Sequence, residues 1–348
     1  MTKRVTITDI ARRAGLSKGA VSYALNGQPG VSESTRQRVL QMALEMGWHP
    51  NSAAKALSGA RAGAFGLVLA RPASTLGVEP FFMKLISGME SAMASSQTAL
   101  LLQVVADHDA EIATYRRWWA ERRVDGVFLI DLEVHDKRVP VLEELKLPAM
   151  VVGGPGNHGT LPGVWIDDTS AMVMVMEYLA ALRHRRIARV AGVPGMLHTE
   201  VRKEAFDEVS ARIGLAWSTT INTDYSPEEG AQATRRLLSA STRPTAIVYD
   251  NDVMAVAGVS VAHEMGVDVP GDLSIMAWDD SVLCEIVHPP ITAVSRDITG
   301  YGVHVAERLL ALLDDDLDGQ AVRDFEGVPP RLVVRGSTAR PVRSSVGA

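Results

Sequence analysis

The stretch Thr8-Asp9-Ile10-Ala11-Arg12-Arg13-Ala14-Gly15-Leu16-Ser17-Lys18-Gly19-Ala20-Val21-Ser22-Tyr23-Ala24-Leu25-Asn26 has the spacing of two short helices that cross through a tight turn. Ile7, Ile10, Ala11 and Ala14 recur at helical spacing and form one apolar stripe. Thr6 or Thr8 is placed to cap this first helix. Gly15 ends it, where the turn needs a positive φ. Ser17 is the next cap, and Ala20, Val21, Ala24 and Leu25 line one side of a second helix that runs to about Asn26. Ala11 is small enough for the two helices to touch there, as a helix-turn-helix requires. Gln28-Pro29-Gly30 then breaks the chain. Ser32 starts a third helix with Val39, Leu40, Ala43 and Met46 turned inward, and Gly47 closes it.

With Val21 and Leu25 turned toward the first helix, the second leaves Lys18, Gly19, Ser22, Tyr23 and Asn26 facing outward. A polar helix face with a basic leading end suits the DNA major groove. Charge agrees. Residues 1–61 hold nine Lys/Arg and three acids, net +6, whereas the remainder carries −12, so the total of −6 hides a basic head on an acidic body. Only the head is suited to meet a polyanion. The alternative is an ordinary helical hairpin with a solvated basic face.

The remainder reads differently. Pro50-Asn51-Ser52-Ala53-Ala54-Lys55-Ala56-Leu57 is short and helix-prone, and Gly59-Ala60-Arg61-Ala62-Gly63 is a linker. From Phe65, short apolar runs alternate with helical segments: Phe65–Ala70, Leu100–Val105, Val127–Ile130, Met150–Gly153, Ile187–Val193, Ala246–Tyr249 and Ser274–Trp278. That alternation predicts βα units around buried parallel strands. With 348 residues, 47% of them hydrophobic and 22% charged, the chain has material for two or three globular domains. No apolar run of eighteen or more and no signal-like segment is present, so a cytoplasmic protein without a membrane span is expected. Cys284 is the only cysteine; it makes no internal disulfide or cysteine-based metal site and is expected to be a small buried hydrophobe. Asp314-Asp315-Asp316 lacks the spacing of a calcium loop and reads as a solvated helix end.

The first helices resemble the lactose-repressor (LacI/GalR) family of bacterial transcription factors. The match continues through Val31-Ser32-x-x-Thr35-Arg36-x-x-Val39, Gly47-Trp48-x-Pro50-Asn51 and Ala54-x-x-Leu57, and extends to about Thr338. The resemblance implies an all-α helix-turn-helix head (1–47), a hinge helix and linker (48–63), and a two-lobed α/β core like periplasmic sugar-binding proteins (64–338), with a tail at 339–348. Lobe 1 would hold about 64–167 and 297–326, and lobe 2 about 168–296 and 327–338. It further implies a homodimeric repressor on a palindromic double-stranded operator, controlled by a small-molecule effector, a sugar or sugar derivative, between the lobes. The DNA-binding positions it assigns are Thr8, Ser17, Lys18, Gly19, Ala20 and Ser22, then Tyr23, Asn26, Ser32 and Thr35. In the hinge they are Asn51, Ala54, Lys55 and Leu57. Leu57 matches the leucine that wedges between central base pairs, which costs unstacking energy but bends the duplex onto more protein; as a helix-packing residue it would do neither. So short a helix is expected to order only on DNA.

In the core, Tyr249-Asp250-Asn251-Asp252 and Ala277-Trp278-Asp279-Asp280 each follow a predicted strand, where polar residues face the crevice of an open α/β sheet. By resemblance Asn251 and Asp279 bind effector, Arg202 clamps it with His198 one turn earlier, and Tyr225 supplies a ring. Arg71 and Glu79, at or after the end of the first core strand, are further pocket positions. Each has a plainer reading. Asn251 and Asp252 are candidate helix caps, Asp252 more so, Asp280 likewise, and Arg202 is a candidate surface ion pair. Gly153 stands where sugar-binding members often place an acid, and Ile298 replaces an aromatic, so the effector is expected to be anchored differently from a simple galactoside. No phosphate loop, nucleophile elbow, His-Glu-x-x-His or Gly-x-Gly-x-x-Gly is present, and adjacent acids such as Asp167-Asp168 point to opposite faces on a strand. An enzyme is therefore not expected, nor a cofactor or metal. The rival reading is a solute-binding or enzymatic α/β domain with an incidental helical head.

Overall fold

The computed structural model describes residues 5–48, 61–313 and 325–341. Asn51, Ala54, Lys55, Leu57 and the run Asp314-Asp315-Asp316 lie outside these residues. The chain divides into two compact units, Met1–Ala62 and Gly63–Ala348.

The first unit holds α1 (Ile7–Ala14), α2 (Lys18–Leu25) and α3 (Glu33–Glu45). The Asp9 carboxylate accepts hydrogen bonds from the Thr6 backbone N–H and hydroxyl, which makes Thr6 the cap of α1. Gly15 takes φ +67°, the left-handed turn that separates α1 from α2. Ser17 Oγ accepts from the Ala20 N–H, and Ser32 Oγ from the Thr35 N–H, so both serines cap helices. Ile10, Ala11, Val21, Ala24, Val39 and Ala43 form the core of the unit. Leu40 departs from the sequence expectation: it is 41% exposed, because Val39 and Ala43 already occupy the inward side of α3.

The second unit is two βα lobes. Lobe 1 contains β1 (Ala64–Leu69), α4 (Ala73–Val78), α5 (Pro80–Met93), β2 (Ala99–Val104), α6 (His108–Ala120), β3 (Gly126–Ile130), α7 (Arg138–Leu145), β4 (Ala149–Val152) and β5 (Gly163–Trp165). The chain then enters lobe 2 with α8 (Asp168–Ala181), β6 (Arg186–Ala191), α9 (Leu197–Arg212), β7 (Trp217–Asn222), α10 (Pro227–Ser239), β8 (Ala246–Tyr249), α11 (Asp252–Glu264), β9 (Ser274–Trp278), α12 (Val282–Ile286) and β10 (Thr292–Ser295). It returns to lobe 1 for α13 (Ile298–Leu313) and β11 (Phe325–Glu326), and ends in lobe 2 with β12 (Arg331–Val333). The sheet orders are β11-β5-β4-β3-β1-β2 and β12-β10-β9-β8-β6-β7. All pairings are parallel except β10 with β12. Three chain crossings therefore join the lobes.

Burial on both faces explains the near-continuous apolar strands. On β1, Phe65, Leu67 and Leu69 pack toward Leu85, Met89 and Val305, whereas Val68 turns to Tyr115 and Trp118. In lobe 2, Val190 and Tyr249 join Leu237 and Met254, while Val248 and Trp278 join Phe206 and Val209. Each such side chain contributes about 1.5–3 kcal/mol. The helices α5 and α13 meet backbone to backbone. A Cβ on Gly88 would lie 2.0 Å from Thr299 O, and one on Gly302 would lie 2.2 Å from Leu85 O. That contact holds the returning helix α13 against lobe 1. Cys284 is fully buried. Ala339 is bonded to lobe 2: its carbonyl accepts from Ser274 Oγ and lies 2.9 Å from His184 Nε2.

Candidate functional site

The carboxyl ends of the parallel strands converge on a cleft between the lobes of the second unit, enclosing about 750 Å³, part of it open to solvent. Strand ends deliver charge to it in an orderly way. Arg71 follows β1, Asp131 follows β3, Asp168 opens α8 after β5, Asp250 follows β8, Asp279 follows β9 and Arg296 follows β10. Glu79, at the start of α5, and Arg202 with His198, on α9, complete the polar wall. Phe81, Phe82, Tyr225 and Tyr301 supply rings.

The arginines are paired. Arg71 Nε donates to Asp131 Oδ2 at 2.8 Å, and the guanidinium lies 5.0 Å from the centre of the Tyr225 ring. Arg202 Nη2 donates to Asp168 at 3.2 Å while stacking 4.3 Å over Trp278. Arg296 Nε donates to Asp279 Oδ1 at 2.9 Å. Behind the wall, fully buried Arg189 donates through Nε to Asp250 at 2.8 Å. Burial works against the Asp131 charge, but Arg71 outweighs it and holds the carboxyl down at about 2. Burial pushes Glu79 up to about 7, with Arg71 pulling the other way and Asp131 and Asp279 adding to the rise. His198 falls to about 4 through burial, with the Arg202 charge adding to it, and its Nε2 lies 2.7 Å from the Tyr225 hydroxyl. Asp131, Tyr225 and Asp279 all take φ between 55° and 71°. Non-glycine residues reach this left-handed region at a cost, and such positions cluster at binding sites.

Three buried polar atoms of the wall have no partner: Arg71 Nη1, Arg202 Nε and Glu79 Oε2. Two spare donors and one spare acceptor match groups that both give and accept hydrogen bonds, such as sugar hydroxyls.

Of the effector positions named from sequence, Arg71, Glu79, His198, Arg202, Tyr225 and Asp279 line this cleft together. Arg202 is buried there rather than in a surface ion pair. Asn251 is not in the lining. Its Oδ1 accepts from the Met254 N–H and its Nδ2 donates to the Tyr225 carbonyl, so it caps α11 and carries the Tyr225 backbone. It takes the capping role that sequence favoured for Asp252, because it sits one residue earlier, at the extended N-cap position. Asp280 is no cap either: it pairs with Arg335 at 2.8 Å, and Ser281 caps α12. Asp131, Asp168, Asp250 and Arg296 are cleft residues that sequence reasoning did not assign. Arg296 follows β10, a strand absent from the predicted alternation. Asp250 was within reach, since it directly follows a predicted strand.

In the first unit, Thr8, Ser17, Lys18, Gly19, Tyr23, Asn26 and Ser32 are exposed, whereas Ala20, Ser22 and Thr35 are half-buried. Tyr23, 51% exposed, is the large side chain of the outward face of α2. Asn26 Nδ2 donates to Ser22 Oγ at 3.3 Å, and Arg36 Nη2 donates to the Gln28 carbonyl at 3.2 Å, which ties the α2–α3 connection to α3. Among the described residues, no group of three His, Cys, Asp or Glu is placed to hold a metal ion, and no helix is long and apolar enough to cross a membrane.

Residues 6–51 match the family described as bacterial regulatory proteins, lacI family, and residues 176–338 match a periplasmic binding protein-like domain. The HTH-type transcriptional regulator DegA of Bacillus subtilis (strain 168) is 31% identical over 343 residues, covering 97% of this chain and 98% of DegA. A lacI-family transcriptional regulator from Bifidobacterium animalis subsp. lactis has a solved structure 39% identical to this chain, with a TM-score of 0.74 over 81% of this chain and all of that one. The complex of the transcriptional regulator CelR with cellobiose is 26% identical, with a TM-score of 0.73 over 96% of this chain and all of that one. These relatives are transcriptional regulators rather than enzymes. A helix-turn-helix unit ahead of a two-sheet α/β core, matched over nearly its whole length, places this chain in the lacI family of bacterial transcriptional regulators.

Proposed function

We propose that this protein is a repressor that binds a palindromic DNA operator as a homodimer and is controlled by a carbohydrate effector held in the cleft. The observation that carries the effector reading is the wall itself: arginine–carboxylate pairs with unpartnered donors on Arg71 and Arg202 and an unpartnered acceptor on Glu79. Paired charges present fixed donors and acceptors without favouring a charged ligand, and hydroxyls satisfy both. The CelR relative, in complex with cellobiose, is in keeping with a sugar. Arg71, Glu79, His198, Arg202, Tyr225 and Asp279 would contact the effector, with Arg296 holding Asp279, and Asn251 positioning Tyr225. The site of action would be the nucleoid in the cytoplasm.

On DNA, Lys18 and Tyr23 would read base edges in the major groove, since Gly19 offers no side chain. Ser17, Ser22, Asn26 and Thr35 would make backbone or shared contacts, with Thr8, Ala20 and Ser32 alongside. Asn51, Ala54, Lys55 and Leu57 would form the hinge helix, with Leu57 wedged in the minor groove at the operator centre. Dimerisation would use the core: Leu102 and Val104 on the edge strand β2, and Val282 and Ile286 on α12, are large apolar side chains left exposed.

The test is selection of bound sites from random DNA, followed by release assays with a sugar panel. A palindromic motif and release by a neutral sugar are expected. Recovery of non-palindromic sites, or sedimentation as a monomer or stable tetramer at micromolar concentration, overturns the docking scheme. A protein that binds sugar but no DNA sequence would instead be a solute-binding domain.

A further inference from the structure

Four arginines meet five carboxylates in and just behind the cleft, and four of the carboxylates are taken. Arg71 holds Asp131, Arg202 holds Asp168, Arg296 holds Asp279 and Arg189 holds Asp250. Glu79 is the fifth. It is 9% exposed, faces the cleft, and its Oε2 is buried with no hydrogen-bond partner. The groups around it are Arg71 after β1, Asp131 after β3, Asp279 after β9 and the Asn251 amide at the start of α11. Arg71 is the cation among them, and it is already bonded to Asp131.

A ligand carboxylate or phosphate entering this cleft gains no free cation. The spare N–H groups of Arg71 and Arg202 belong to guanidiniums whose charge Asp131 and Asp168 already balance, so an anion that bonds them brings a further negative charge into a desolvated space beside the unneutralised acid Glu79. An uncharged hydroxyl meets no such penalty and donates to the unpartnered oxygen of Glu79. We infer that Glu79 is a specificity residue that makes the cleft reject acidic ligands: the effector is an uncharged, hydroxyl-rich sugar with a hydroxyl donating to Glu79, and uronates and sugar phosphates are turned away. This rests on the proposed carbohydrate effector and adds its charge class. The Glu79 carboxyl, pushed up to about 7 by burial, agrees: the cleft already resists this negative charge.

The experiment measures binding to the full-length protein by titration calorimetry at pH 8 and pH 6. The probes are glucose, galactose, maltose and cellobiose beside glucuronate, galacturonate and glucose 6-phosphate. Wild-type protein is expected to prefer a neutral sugar over its uronate by at least tenfold at pH 8, which is about 1.4 kcal/mol. The ratio should shrink at pH 6, where Glu79 is largely protonated and both His198 and the uronate keep the charge they have at pH 8. Glu79→Gln should bring the ratio to within about threefold at both pH values, since it removes the charge that a tenfold preference requires. A uronate or sugar phosphate that binds wild-type protein at pH 8 as tightly as the neutral sugar overturns the inference. So does a ratio unchanged in Glu79→Gln. If that variant fails to fold, the wild-type ratio and its pH dependence decide alone. Binding of sugars without charge discrimination defeats this inference and leaves the proposed function standing, whereas no binding by any probe defeats both.

Discussion

Replacing Glu79 by glutamine should stabilise the ligand-free core at pH 8 and change how its stability depends on pH. In the unfolded chain this carboxyl titrates near 4.5; in the folded cleft, burial, aided by Asp131 and Asp279 and opposed by Arg71, raises it to about 7. Between those values the folded state keeps a proton that the unfolded state has lost, so stability falls as pH rises through the window. The contribution is fully present below 4.5 and gone above about 7. At 1.36 kcal/mol per pKa unit it amounts to about 3 kcal/mol.

His198 works in the opposite direction. Its pKa drops from 6.5 to about 4 through burial, with Arg202 adding to the fall, so the folded state binds fewer protons than the unfolded between those values. Stability from this group is present above 6.5 and lost as pH falls toward 4. From pH 4.5 to 6.5 these two slopes oppose each other, and Asp252, raised from 3.8 to about 6 by burial, adds a slope of the same sign as that of Glu79 over most of the window. Glu79→Gln removes the Glu79 slope alone, so the difference between the variant and the wild type isolates it, because His198 and Asp252 contribute equally to both. The variant's advantage should grow by about 3 kcal/mol between pH 4.5 and pH 8, or roughly 6 °C at about 2 °C per kcal/mol for a domain of this size. Thermal melts of both proteins at pH 4.5, 5.5, 6.5 and 8, without sugar, measure it. Parallel curves for the two proteins would refute the reasoning, because they would mean that Glu79 is ionised in the folded cleft across the whole range.

Arg202→Ala removes a partner of half-buried Asp168 and the cation over Trp278. It should cost about 3 kcal/mol in a urea melt, and an unchanged midpoint would mean that Arg296, 3.8 Å from Asp168, suffices. Gly302→Ala places a methyl 2.2 Å from the Leu85 carbonyl and should cost about 2–3 kcal/mol by prising α13 from α5; a variant as stable as wild type would show that the helices do not meet so closely. Lys18→Ala should relax base preference within each half-site by about 1–3 kcal/mol, whereas Leu57→Ala should weaken binding and reduce the bend without altering half-site preference. A selection that returns the same motif for Lys18→Ala would remove Lys18 from base reading.

The head was legible because its signals are local. Caps, a turn glycine and apolar spacing occupy twenty consecutive residues, and each is satisfied by neighbours a few positions away. Leu40 was misplaced because a 13-residue helix against two short ones buries a narrower stripe than spacing alone suggests. In the core, buried parallel strands announced themselves as apolar runs. The strand β7, Trp-Ser-Thr-Thr-Ile-Asn at the sheet edge, did not, since an edge strand with one wet face carries polar residues. β10, only four residues long, begins with Thr292, a polar residue that bonds to the C-terminal segment, and its omission hid Arg296. Asp250 and Asn251 were exchanged for a subtler reason. Both follow β8, and which of them faces the cleft depends on Arg189, on the neighbouring strand β6, anchoring the Asp250 carboxylate. A pairing across 61 residues leaves no local trace.

The same placement explains how a ligand could move the lobes. Backbone bonds already cross between them: Leu197 N–H donates to Leu132 O at 2.7 Å and Val134 N–H to Gly195 O at 3.0 Å. Lys84 Nζ donates to the Asp280 carbonyl at 3.1 Å, and Arg71, rooted in lobe 1, rests on Met196 and Tyr225 of lobe 2. These contacts belong to the observed arrangement of the lobes. An effector favours this arrangement over another only through groups that reach both walls at once, because equal affinity for two arrangements shifts nothing. Moving a population from 1:99 to 99:1 takes about 5.5 kcal/mol. Charge-assisted hydrogen bonds contribute about 1.5–3 kcal/mol each, so two or three spanning bonds are enough. Glu79 Oε2 and Arg71 Nη1 on one side and Arg202 Nε on the other are the unpartnered atoms available to make them. A sugar that satisfies one wall alone should therefore bind without releasing DNA, and length across the cleft, more than affinity, should separate effectors from bystanders.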